Sequence, residues 1–81
     1  MADNASAGAQ LPLSMVHEGE TVTVVKVRGN NEMQRHLENL GFVEGAKVSV
    51  VSQGSASGTI CQVKGSQLGI DRNTAMHIFT N

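Results

Sequence analysis

One cysteine, Cys61, is all the thiol the sequence offers. An internal disulfide is therefore excluded, and so is a multi-thiolate zinc or iron–sulfur site within one chain. Aromatic residues are as scarce: Phe42 and Phe79, with no Tyr and no Trp. That leaves nothing to build a base-stacking platform for single strands. There is no excess of basic charge, with 6 Lys+Arg against 7 Asp+Glu, a net charge of −1 and a pI near 6.2. A nucleic-acid partner is not expected from such a balance. No more than two apolar residues are ever consecutive, as in Val24-Val25 and Ile78-Phe79. A membrane-spanning helix needs about 20, so no direct membrane insertion is expected, and no signal-peptide core is present. The expected compartment is a reducing cytoplasm.

The 81 residues suffice for one domain at most. Residues 1–12 are mostly Ala, Asn, Ser, Gly and Gln without period, and are expected to form a disordered tail that cannot offset its chain entropy. The domain is expected over residues 13–81. A core of that size without disulfide or metal supports a net stability of about 3–5 kcal/mol.

Thr21 to Arg28 is β-branched and alternating, the mark of a strand. The alternation changes phase midway, Val22 and Val24 on one face, Val25 and Val27 on the other. A bulge or bend near Val24-Val25 would turn both pairs inward. After the turn at Gly29, either Asn30 or Asn31 can cap a helix, with Glu32 at the positive end of its dipole. Met33, Leu37 and Leu40 recur at i, i+4 and i+7, which predicts a helix from Asn31 to Leu40. Gly41 is the expected left-handed residue that stops it. So short a helix must be held by docking.

Ala46, Val48 and Val50 share one strand face. Gln53 to Gly58 reads as a polar, flexible loop. Thr59 to Val63 is a strand with Cys61 on its buried side, and Lys64-Gly65 is a tight hairpin turn. Leu68 and Ile70 alternate with Gln67, Gly69 and Asp71. Arg72 to Ala75 is turn-like, and Met76 to Thr80 is the last strand. Met33 and Met76 are expected in the core. The expected fold is mainly β: about five short strands closed into a small barrel, with one short helix after the first strand.

Catalytic and metal-binding patterns are weak. His17, His36, His77, Cys61 and the carboxylates form no H-x-x-H, C-x-x-C or E-x-x-H array. Gly54 and Gly58 lack the Lys-Ser/Thr and helix of a phosphate loop. Neither a metal site nor a cofactor is expected, and no enzyme. Arg35 and His36 read as a solvated helix face, as a partner patch or as part of a two-ligand metal site. Glu32 and His36, spaced i, i+4, can pair.

Arg35-His36-Leu37 followed by Leu40-Gly41-Phe42-Val43-Glu44-Gly45 resembles the pattern R-[RK]-L-x-x-L-G-hydrophobic-x-x-G of the FeoA family, ferrous iron transport protein A. Gly19-Glu20 before the first strand resembles the family's early turn, and Leu68-Gly69-Ile70 with Ala75 and Ile78 resembles its ending. The resemblance spans Leu13 to Thr80. Three positions depart from the pattern: His36 stands for a second basic residue, Gly54 to Gly58 contains no proline, and Ile70-Asp71 replaces a basic residue.

The resemblance implies an SH3-like barrel that acts by protein contact on the cytoplasmic part of the FeoB membrane transporter, without catalysis. At family level it implies transition-metal ion binding, and the resemblance leaves self-association open. The alternative is a transition-metal-sensing or regulatory SH3-like module acting on a separate transcriptional or GTPase partner. Leu37, Leu40, Gly41, Phe42 and Gly45 are expected to be structural: two glycines for positive φ, apolar groups for the core. The expected partner surface is the exposed side of the helix and the turn after it, with Glu32, Arg35, His36 and Glu44.

Overall fold

A computed structural model describes residues 10–54 and 58–81. In chain order it contains β1 (Leu11–Pro12), a 3-10 helix (Leu13–Met15), β2 (Thr21–Val27), α1 (Asn31–Leu40), β3 (Lys47–Gly54), β4 (Gly58–Val63), β5 (Ser66–Ile70), α2 (Arg72–Ala75) and β6 (Ile78–Thr80). The strands are antiparallel in the order β1-β6-β2-β3-β4-β5. Six strands are thus present among the described residues, one more than expected. The extra one is β1, where Leu11 pairs with Thr80 and Pro12 with Phe79. Of the expected tail, residues 1–12, Leu11 and Pro12 thus pair in the sheet, and residues 1–9 lie outside the described residues.

The bulge forms where the valine pattern changes phase. Between Val24, opposite Thr80, and Lys26, opposite Phe79, the register shifts by one residue, Val25. At the bulge β2 changes partner, from β3 (Thr21 to Thr23) to β6 (Val24 to Val27). Val24 is buried and Val22 and Val27 pack partly against the core, but Val25 lies outside the core cluster. The extra residue of a bulge is pushed out of the ladder, so only one member of the second pair turns inward. Barrel closure through backbone pairing, expected from the sequence, is not made among the described residues: β1 and β5 are the two ends of the sheet order.

The core gathers Leu13, Val16, Val24, Leu37, Phe42, Val48, Val50, Cys61, Val63, Ile70, Ala75 and Ile78. Ala46, Val48 and Val50 face it, as their alternation predicts, and so do Leu68 and Ile70. Met76 does not. It is 50% exposed, because it sits at the C-cap of α2 while Ala75 turns inward. Arg72 to Ala75 is one helical turn, capped by Asp71, whose Oδ1 accepts from the Thr74 N–H at 2.8 Å. Hydrogen bonds from the Thr74 side chain and then its backbone hold the Asp71 carboxyl below its ordinary range.

Beyond Val50, β3 continues to Gly54. A second bulge at Val51 breaks the alternation, which is why the sequence suggests an earlier end. Gln53 thus lies in a strand, while residues 55–57 of the expected loop fall outside the described residues. Gln53 Nε2 donates to the carbonyls of Leu13 (2.9 Å) and Val16 (2.6 Å), and its Oε1 accepts from Thr59 Oγ1 (2.8 Å). One side chain therefore ties the 3-10 helix to β3 and β4.

Cys61 is fully buried, and burial pushes its thiol up to about 11 from an ordinary 9.0. The native thiol is expected to be inert to a thiol reagent at pH 8 and to react at once in denaturant. The raised value also favours folding below pH 9.0, an advantage lost as pH rises towards about 11. A falling denaturation midpoint over that interval, absent in Cys61→Ala, checks the sign.

Candidate functional site

The sequence builds α1 as a rigid platform. Asn30 Oδ1 accepts from the Met33 N–H at 2.8 Å and caps the first turn. Gln34 Nε2 reaches back to the Gly29 carbonyl at 2.9 Å. At the other end Gly41 is left-handed, φ 109°. Its N–H donates to the Glu38 carbonyl (3.0 Å), and the Phe42 N–H donates to the Leu37 carbonyl (2.9 Å). These two bonds make a Schellman motif, with Leu37 and Phe42, both fully buried, as its apolar pair. Leu37 carries the docking of α1; Met33 and Leu40 are half-buried beside it.

With 100° per residue, burial of Leu37 puts Asn31, Glu32, Arg35, His36 and Asn39 on the outer face. Glu32, Arg35 and His36 are exposed and border one shallow hollow of about 440 Å³ together with the two asparagines. The guanidinium, the imidazole, two amides and one carboxylate can form hydrogen bonds and ion pairs with a docked protein surface.

Glu44 is not part of this group. It is exposed in the turn after Gly41, and borders a second hollow of about 220 Å³ on the opposite flank of α1, beside Gln34 and Glu38. The expected four-residue surface is therefore two surfaces. The physical reason is angular: Glu38 lies about 200° around the helix from His36, and the left-handed turn at Gly41 carries Glu44 to the Glu38 side. The one cue to this second hollow in the sequence is the Val25-Lys26-Val27 stretch, which lines it.

Among the described residues no three His, Cys, Asp or Glu side chains come together in a way that could hold a metal ion. His36 lies on α1 and His77 beyond α2, where its Nδ1 is 2.8 Å from the Asn73 carbonyl.

A six-stranded antiparallel β fold among the described residues, with a docked helix and a rigid turn presenting polar side chains, defines a small SH3-like module. The FeoA domain pattern matches residues 11–81. The chain belongs to the FeoA domain family, whose members are small accessory domains of ferrous iron transport. Among solved structures, an iron uptake regulatory protein (FeoA) is similar, with a TM-score of 0.84 at 23% identity, covering 90% of this chain and 97% of that one. The FeoA protein of Chlorobium tepidum gives a TM-score of 0.79 at 28% identity, over 88% of this chain and 69% of that one. The FeoA of Stenotrophomonas maltophilia, a prokaryotic SH3 domain protein complexed with zinc, gives 0.75 at 25% identity, over 88% and 89%. No curated protein matches the chain. Among the described residues no helix is long and apolar enough to cross a membrane.

Proposed function

We propose that this chain is a non-catalytic accessory protein of bacterial ferrous iron uptake, which docks through the outer face of α1 on the cytoplasmic domain of a FeoB-type transporter. The observation that carries the reading is the FeoA-domain match over residues 11–81. The Stenotrophomonas relative, proposed as a bacterial ferrous iron transport activating factor, supports the same role. The geometry supports the choice of surface. Arg35 and His36 stand on a helix capped at both ends, so little freedom is lost on docking. The chain is nearly neutral, so specificity falls to local complementarity.

Titration calorimetry against the transporter's soluble domain tests this. Arg35→Glu reverses one exposed charge and is expected to weaken binding by more than tenfold, about 1.4 kcal/mol. The melting temperature is expected to stay unchanged, because the side chain is solvated. Undiminished binding by a folded Arg35→Glu variant would move the contact elsewhere.

A further inference from the structure

The second hollow stands apart from the face just described. After Thr23, β3 leaves β2. A last contact follows at Val24, whose N–H donates to the Ala46 carbonyl (2.9 Å) and whose carbonyl accepts from the Gly45 N–H (2.8 Å). From there to Val27, β2 is paired only with β6. Backbone groups in an antiparallel ladder point alternately to the two sides. The Arg28 N–H donates to the His77 carbonyl at 2.8 Å, so Arg28 and His77 are a bonded pair. Val27, opposite Ile78, is then a non-bonded pair. Its N–H and C=O point away from β6, and no described backbone group on the other side takes them up.

On that open flank lies the hollow of about 220 Å³. Val25, Val27 and Val43 give it apolar walls; Glu38, Glu44 and Lys26 stand at its rim. All three rim residues are exposed. Two carboxylates against one ammonium leave the rim net negative. The far wall is held rigid by the Schellman bonds of Gly41 and Phe42, and by the Ala46 N–H donating to the Val43 carbonyl at 2.9 Å.

We propose that this hollow is a docking groove for a short extended peptide segment, with one β-branched or aliphatic residue flanked by basic residues. The segment adds to the free edge of β2 at Val27, exchanging an N–H and a C=O with it, as in strand addition. Its apolar residue sits among Val25, Val27 and Val43. Basic side chains two residues to either side share that face of the segment and meet Glu38 and Glu44. This surface needs none of Glu32, Arg35 and His36, so it stands or falls independently of the transporter reading.

The test uses a panel of capped pentapeptides, Arg-Thr-X-Thr-Arg and Glu-Thr-X-Thr-Glu, with X as Val, Ile or Leu. Each is titrated to millimolar concentration into the isotopically labelled full chain. Amide shifts are expected at Val25 to Val27 and Phe42 to Glu44, for the Arg-flanked set only. The double variant Glu38→Lys with Glu44→Lys is expected to weaken the best peptide by about tenfold and to favour the Glu-flanked set. Arg35→Glu is expected to leave peptide binding unchanged. Shifts on the Asn31 to Asn39 outer face, equal binding of both sets, or no shifts with any peptide would each overturn the proposal.

Discussion

Gly41→Val is expected to leave little folded protein at 25 °C. Two costs add at this position. Gly41 holds φ 109°, where a side chain costs about 1–2 kcal/mol. A Cβ built there also lies 2.9 Å from Val63 Cγ1. Val63 is buried in β4 and cannot step aside, so overpacking adds about 1–3 kcal/mol. A domain of this size has about 3–5 kcal/mol in total. Gly45 separates the two costs. Its φ is 90°, yet nothing lies within 4 Å of its added Cβ. Gly45→Ala is therefore expected to lose only the conformational part, about 1 kcal/mol. Urea denaturation of both variants reads the difference. Equal midpoint shifts would mean that the approach to Val63 contributes nothing, and that the motif glycine serves its backbone alone.

That helix and its stop were legible because every local cue agreed. The i, i+4, i+7 apolar spacing, the Asn30 cap and the C-terminal glycine all place α1 at Asn31–Leu40, where it lies. The hairpin was legible for the same reason: Lys64 and Gly65 both take positive φ, 52° and 79°, as a two-residue turn requires. The bulge at Val25 was written in the phase change of the valines. These features are set by neighbours in sequence.

What escaped depends on partners far away in the chain. Leu11 and Pro12 carry no period, and become a strand only because β6 offers them an edge; Thr80 Oγ1 donates to the Leu11 carbonyl at 2.8 Å, across 69 positions. Gln53 looks like loop because the bulge at Val51 hides the strand's continuation, and no pattern in the sequence announces that its amide will find the carbonyls of Leu13 and Val16. At the candidate site the division is the same. Glu32, Arg35 and His36 share a face because helical geometry puts them there. Glu44 parts from them because the direction of the chain after Gly41 is decided by packing of Phe42.

Gln53 supplies the other large effect. Its amide donates twice and accepts once, to groups that have few alternatives. Thr59 is 1% exposed. The Val16 carbonyl accepts from the amide at 2.6 Å, while the Leu13 carbonyl keeps a second bond from the Val16 N–H at 3.1 Å. Gln53→Leu preserves bulk and strands the Val16 carbonyl and the Thr59 hydroxyl. Each stranded buried group costs about 1–3 kcal/mol. Gln53 is only half-buried, and water can reach part of the site, which sets the expected loss at about 2–4 kcal/mol. Gln53→Glu should cost at least as much at neutral pH, since a carboxylate faces two carbonyls, and should recover in part as acid protonates it. The first consequence is expected at the N-terminal edge, where amides of the Leu11 to Val16 segment lose exchange protection before the helix does. Adding Thr59→Val to Gln53→Leu replaces both partners by apolar groups, which is nearer to neutral than removing one. The double variant is therefore expected to be more stable than the sum of the single losses. If Thr59→Val costs the same in both backgrounds, the amide–hydroxyl bond carries no stability, and the loss in Gln53→Leu comes from the Leu13 and Val16 carbonyls alone.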